Sequence, residues 1–260
     1  MITKFALARL EIELPDKERL SFWFDGNSKV TVGNGSYEHP VPNSFSLVQV
    51  KDCPFATPTC KSVCYIHNLE KEELAVHEKY RHNSAVIRVA LSRPDYRDVV
   101  EMEFADWIRR NCKKGFRWHV SGDIFSLEYA YFISSVCRLT PGVMSWIYTR
   151  SYDYIAPLLK APNLVLNLSA DKNNFRQALK LHKKYGLRIC YLTVEGEVPE
   201  MPAGSVIFPS YELRGRDLAN PTKSFWWQSL RPDQKKMVCP PDFFGQSESF
   251  RCGPCKKCLT

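Results

Sequence analysis

The sequence predicts an α/β fold, a partial (β/α)6 barrel-like domain with an N-terminal extension and a cysteine-rich C-terminal tail. Three observations carry this expectation. From Phe116 to Phe208, short apolar runs of strand character alternate with helical segments, the order that parallel βα units require. Counting the run that precedes Cys53, the strands number about six, enough for a partial or open barrel. The residues that follow these strands are polar and distinctive, and the C-terminal strand ends are where such folds carry their chemistry.

The elements follow in order. Residues 1–44 form the extension. Partial alternation over 6–14 suits a strand, and the stretch 25–43 is rich in Gly, Asn, Ser and Pro, so it reads mostly as loop. Residues 45–50 are a short strand that runs directly to Cys53. Two helices follow. The first, 70–91, is acidic in its opening turn, as the helix dipole favours. The second, 95–112, is preceded by Pro94 and sets Val99, Val100, Met102, Phe104, Trp107 and Ile108 near helical spacing. Strands are then expected at 116–120, 143–148, 164–168, 187–194 and 205–208. Helices fall between them at 126–138, 152–160 and 172–185, the last closed by Gly186 as a C-cap. Residues 45–230 thus form the barrel-like domain, and 231–260 a loop-like tail.

Composition bounds the class. Of 260 residues, 44% are hydrophobic and 13% aromatic, which supplies the core of one large domain. The charged fraction of 25% is ordinary. No apolar run approaches the roughly 18 residues of a membrane span. The start, Met1 to Leu10, lacks the long apolar stretch and small-residue cleavage site of a signal peptide, so a reducing cytoplasm is expected. There, ten cysteines point to metal binding or redox chemistry before disulfides. Seven of them fall in two tight groups. Cys112, Cys137 and Cys190 stand singly in apolar segments and read as small core residues. The formal charge of +8 permits a phosphate-rich partner, a nucleic acid or nucleotide. Lys113-Lys114, Lys183-Lys184 and Lys235-Lys236 read as solvated surface.

The first group, Cys53, Cys60 and Cys64, places three cysteines in twelve residues of a loop that follows a strand. Three thiolates can hold three irons of a [4Fe–4S] cluster and leave the fourth open to a small molecule. A structural zinc would need a fourth ligand, which His67 could supply. The second group, Cys239, Cys252, Cys255 and Cys258, combines a Cys-Pro with a Cys-x-x-Cys-x-x-Cys run, partly like the cysteine usage of bacterial ferredoxins. Four thiolates make a closed site for a second cluster or for zinc, and either would clamp the tail. The polar strand ends are Asp52-Cys53, Ser121-Gly122-Asp123, Thr149-Arg150, Ser169-Ala170-Asp171 and Pro209-Ser210. His119 ends a strand and is a candidate acid or base, with a satisfied core histidine as the other reading.

This layout resembles the radical S-adenosylmethionine (SAM) superfamily, in which a three-cysteine loop follows the first barrel strand. The usual spacing there is Cys-x3-Cys-x2-Cys, whereas here it is Cys-x6-Cys-x3-Cys. The resemblance implies that Cys53, Cys60 and Cys64 ligate a [4Fe–4S] cluster whose open iron takes SAM. Ser121, Gly122 and Asp123 match in position the motif that holds the methionine amino group. Thr149, Arg150, Ser169 and Asp171 match positions that contact the ribose and carboxylate, and Tyr65 an aromatic near the adenine. It also implies an electron donor and a radical enzyme of unspecified substrate. A closer resemblance is to the phage-associated gene-product-eighty-eight-like proteins, carried by Gly26-Asn27-Ser28-Lys29, Cys53-Pro54 through Cys64-Tyr65, His119 to Asp123, Tyr148 to Ser151, and the Cys252–Cys258 run. It spans about residues 26 to 258 and implies a phage or mobile-element origin, and so a host cytoplasm.

The competing expectation is a non-catalytic iron–sulfur or zinc protein that binds nucleic acid. Its contacts would be Trp226-Trp227 beside Lys223, and Arg214-Gly215-Arg216, since stacking and basic side chains suit single strands.

Overall fold

Six parallel strands, paired in the order in which they occur in the chain, form the centre of this computed structural model. It describes residues 8–26, 42–67, 73–113, 115–210, 213, 220–244, 255 and 257–258. The parallel strands are β3 (Pro42–Phe45), β4 (Phe116–Trp118), β5 (Ser145–Thr149), β6 (Leu164–Ala170), β7 (Arg188–Thr193) and β8 (Val206–Pro209). Ahead of them, β1 (Ala8–Glu13) and β2 (Arg19–Gly26) pair antiparallel, and β2 pairs antiparallel with β3. The result is a mixed α/β fold with an eight-stranded sheet in the order β1 to β8. Among the described residues no pairing joins β8 back to β1, so the sheet is open.

The helices are α1 (Pro58–Ser62), α2 (Leu74–Leu91), α3 (Arg97–Asn111), α4 (Leu127–Leu139), α5 (Phe175–Tyr185), α6 (Phe225–Ser229), α7 (Pro232–Met237) and α8 (Pro240–Phe244). Side chains alternate across the strands. One face, with Phe45, Trp118, Ile147 and Leu166, packs against Phe104 and Ile108 of α3 and Phe132 and Ile133 of α4. Phe104 stacks on Trp118 with centroids 5.7 Å apart and meets Phe22, Phe45 and Phe132 edge-on. Burying each such ring stabilises the fold by about 1.5–3 kcal/mol. Local signals agree with this packing. Ser126 caps α4 by accepting from the Tyr129 amide. Gly186 closes α5 in the left-handed conformation, with φ 70°, as a C-terminal glycine does.

Four departures from the sequence reading have local causes. The strand expected at 45–50 stops at Phe45, where backbone groups beyond it bond to side chains: Ser46 O accepts from Asn83 Nδ2, and Val48 N–H donates to the Asp52 carboxylate and Ser84 Oγ. The extension holds a second strand, β2, mostly in a stretch to which the sequence reading assigned no element, and it ends inside the expected loop. Its Leu20, Phe22 and Phe24 alternate into the core, and Phe24 stacks on Trp107 at 3.5 Å, so β1 and β2 extend the same sheet. The helix expected at 152–160 is replaced by two 3-10 turns, Tyr152–Tyr154 and Leu158–Lys160. Pro157 stands between them and lacks an N–H to continue a ladder. The tail, expected to be loop, contains α7 and α8.

Residues 27–29 and 214–216, which carried sequence expectations, lie outside the described residues, as does Cys252. No described helix is long and apolar enough to cross a membrane.

Candidate functional site

The first cysteine loop lies across the C-terminal ends of β4 and β6. Its start is fixed by Asp52, which is fully buried. Asp52 accepts from Ser84 Oγ and Arg88 Nη2 of α2 and from Val48 N–H, and its own carbonyl accepts from Asp123 N–H at 2.8 Å. Val50, between the strand and Asp52, has φ 61°, a left-handed conformation that is costly for a β-branched residue. Cys53 N–H then donates to Val50 O at 3.2 Å. The chain next forms α1, which Thr57 caps while Pro58 fills its first position. Cys60 N–H donates to Thr57 Oγ1 at 3.1 Å. Two contacts tie α1 to the end of β6: Thr57 Oγ1 donates to Asp171 Oδ2, and Thr59 Oγ1 to Asn173 Oδ1 at 2.7 Å. On the other flank Tyr65 Oη donates to Val120 O at 2.9 Å, beyond the end of β4.

Cys53, Cys60 and Cys64 are each half-buried. Burial pushes the Cys53 thiol up, and Asp123 is the strongest charged group adding to that rise, with Cys60 and Cys64 behind it. Burial likewise raises Cys60, opposed by Arg150, while Cys64, Asp171 and Asp123 reinforce it. The three thiols, two carboxylates and one guanidinium thus lie in one electrostatic neighbourhood.

Beneath the loop the strand ends are cross-linked. Asp123 Oδ1 accepts from Thr149 Oγ1 at 2.6 Å and from Ile124 N–H at 2.8 Å, and its Oδ2 accepts from Arg150 N–H at 2.8 Å. Burial raises the Asp123 carboxyl, against these three hydrogen bonds. Three of about four acceptor positions are therefore taken within the protein. Arg150 Nη2 donates to Asp171 Oδ2 at 3.3 Å, while its Nε is buried with no hydrogen-bond partner among the described residues. The Oγ of Ser121, a residue 4% exposed, also lacks one. Gly122 has φ 83°, and a Cβ there would lie 2.6 Å from Leu47 Cβ. Glycine therefore lets the Ser121–Asp123 turn pack on the segment leading to Cys53.

The remaining expected residues divide. Tyr65 is exposed beyond its hydroxyl bond. Ser169 is half-buried, and its carbonyl accepts from Tyr152 Oη at 2.6 Å and Asn174 Nδ2 at 3.2 Å. His119 is 3% exposed, with Nε2 at 2.8 Å from Tyr129 Oη of α4 and Nδ1 buried without a partner among the described residues. Burial pushes its pKa down to about 3, with Arg117 adding to the effect, so the ring is neutral near pH 7 and a poor acid there. His67 is exposed and its Nδ1 meets Gln49 Nε2 at 3.2 Å.

In the second group Cys239 and Cys258 are buried and Cys255 is half-buried. Cys239 N–H donates to Ile207 O at 2.8 Å, which fixes the tail beside β8. Cys239 and Cys258 pack with Cys190 and Val206, flanked by Tyr148 and Phe208. Sequence reasoning read Cys190 as a small core residue, and it is buried, 2% exposed. Ile189 and Tyr191 pack with Ala178 of α5, so Cys190 belongs to the opposite face of β7. A hydrogen bond from Cys190 holds the Cys258 thiol down at about 7, whereas burial pushes Cys190 up. Thr57 was also missed, although Thr-Pro ahead of a short helix is an N-cap signal.

Trp226 and Trp227 are committed to packing. Trp226 Nε1 donates to Gly196 O at 2.8 Å from a buried position, and Trp227 stacks on Phe243 with centroids 4.6 Å apart. Lys223 beside them is exposed.

The donor set can be tested against the cluster it was expected to hold. Among the described residues no three His, Cys, Asp or Glu side chains form a group able to hold a metal ion. A cubane takes each thiolate on a different iron, so its ligands stand farther apart than the ligands of one ion. Three half-buried thiols on one loop, with the Arg150 guanidinium in their neighbourhood, are donors of the kind such a group takes, and Arg150 Nε and Ser121 Oγ are buried polar atoms without partners among the described residues.

The sequence model of a family described as gene product 88 matches residues 20–260. No curated protein and no solved structure matches the chain.

Proposed function

The chain belongs to the gene product 88 family, and on that premise we propose that it is a radical SAM-like iron–sulfur enzyme of phage type, with its six parallel strands as a partial β/α barrel. Cys53, Cys60 and Cys64 would hold a [4Fe–4S] cluster, with SAM on the open iron. Cys239, Cys252, Cys255 and Cys258 would supply a second, closed site for a cluster or zinc. When bound, the first cluster supplies the electron that splits SAM into methionine and a 5′-deoxyadenosyl radical, an external reductant providing that electron.

The observation that carries this reading is the roofing of the β4–β6 strand ends by the cysteine loop, where Ser121 Oγ after β4 and Arg150 Nε after β5 are buried without partners among the described residues. Arg150 would take the SAM carboxylate on its free edge, since a guanidinium presents donors on more than one side. Ser121 Oγ would bond a polar group of the same ligand. Asp123, with one acceptor position left, would take the amino group while holding Thr149 and the Arg150 backbone in place. Tyr65 would lie over the ligand at the exposed edge.

The test is anaerobic metal analysis. Protein purified without oxygen should be brown and lose about four irons when Cys53→Ala, Cys60→Ala and Cys64→Ala are combined. Colourless protein holding only zinc would refute the reading.

A further inference from the structure

Five of the ten cysteines lie on β7 or in the tail, yet a closed thiolate site needs four. The fold selects among them. Cys190 from β7, Cys239 from the turn after α7 and Cys258 near the end of the tail meet on the sheet face opposite α4 and α5. Cys190 is 2% exposed and packs against Cys239 and Cys258, all three being free thiols.

Polar groups as well as apolar ones surround the three cysteines. The Cys190 thiol also points at Asn167 Oδ1 (3.8 Å), and Asn167 Nδ2 donates to Cys258 O at 3.3 Å. Tyr148 and Phe208 pack against the three cysteines. Between Gly245 and Thr260 the only large apolar residues besides cysteines are Phe250 and Leu259. So polar a segment offers little hydrophobic burial of its own, and thiolate–metal bonds are strong enough to organise a short segment outright.

We propose that Cys190 is a ligand of the tail's metal centre: Cys190, Cys239 and Cys258, which pack together here without yet forming an ion-holding group among the described residues, would close with a further tail cysteine around a thiophilic metal, either zinc or an iron–sulfur cluster, when it binds. This rests on the reading of the tail as a metal site. It makes the centre a staple between the β7 strand and the C-terminus, where ligands drawn from the tail alone would only fold the tail on itself.

The test uses full-length protein with Cys53→Ala, Cys60→Ala and Cys64→Ala, so that only the tail centre remains. Cys190→Ser is compared with Cys137→Ser, a control at an equally buried cysteine. Metal content is measured after anaerobic purification, zinc and iron separately, and the cobalt(II)-loaded form is scanned for sulfur-to-metal charge transfer. Cys190→Ser should lose most of its metal and weaken the charge-transfer band, while Cys137→Ser keeps both. Equal metal content and spectra in the parent and Cys190→Ser would overturn the role of Cys190. A parent that binds neither metal would overturn the tail site itself, and Cys190's role with it. Should Cys190→Ser not fold, alkylation of the parent decides. Cys190 should resist iodoacetamide until a chelator is added, as Cys239 and Cys258 do; labelling indifferent to the chelator would count against it.

Discussion

Arg150 Nη2 donates to Asp171 Oδ2 at 3.3 Å and joins the ends of β5 and β6 directly under the first cysteine loop. The Arg150 side chain is 13% exposed and that of Asp171 fully buried. Asp171 also accepts from Thr57, so one carboxylate connects the loop, the strand end and the guanidinium.

Arg150→Ala should therefore destabilise the fold by about 2–3 kcal/mol, since it leaves a buried carboxylate short of its cationic partner. Arg150→Lys keeps the charge but loses the planar fork. It should retain iron while binding SAM at least about tenfold more weakly, a loss of about 1.4 kcal/mol. Urea denaturation and SAM titration of the anaerobic protein check the two outcomes. Equal SAM affinity in Arg150→Lys would remove the carboxylate role.

Gly122→Ala should cost about 2–4 kcal/mol, combining a left-handed φ with a Cβ forced against Leu47. Gly204→Ala is the control, because its φ is also positive but a Cβ there meets nothing within 4 Å. Thermal unfolding should separate the two, with Gly122→Ala much the worse. Similar losses would mean that backbone conformation alone, without contact to the cysteine loop, sets the requirement.

His119 makes stability depend on pH with a definite sign. Its folded pKa, about 3, lies below the ordinary 6.5, so the unfolded chain binds the extra proton first. The contribution is complete above about pH 6.5 and is lost as pH falls toward about 3, at up to about 1.4 kcal/mol per pH unit. His119→Gln, which keeps a polar group beside Tyr129, should flatten that slope. Denaturant midpoints measured from about pH 6.5 down to about 4 check it, and parallel curves would contradict the buried neutral imidazole.

Much of this arrangement is legible in the sequence, for reasons that can be named. The βα alternation is strong because β5, β6 and β7 are largely buried on both faces and so read as apolar runs. Asp123, Thr149, Arg150 and Asp171 follow or end their strands, so their convergence with Cys53 and Cys60 follows from topology alone. The β3 boundary was obscured because Leu47 and Val48 are apolar yet sit in a loop whose amides bond to Ser121, Asp52 and Ser84. Cys190 was read as a core residue and is one, but its packing with the tail was hidden because a single cysteine in an apolar strand gives no spacing to read. Its partners Cys239 and Cys258 are remote in the chain, and only the sheet register brings them together.

The central claim is tested most directly by the EPR spectrum of the anaerobic, dithionite-reduced protein with and without SAM. The account predicts a reduced [4Fe–4S] signal that SAM shifts, and loss of the SAM-sensitive signal when Cys53→Ala, Cys60→Ala and Cys64→Ala are combined. A protein without that signal, or one whose signal is indifferent to SAM, would contradict it.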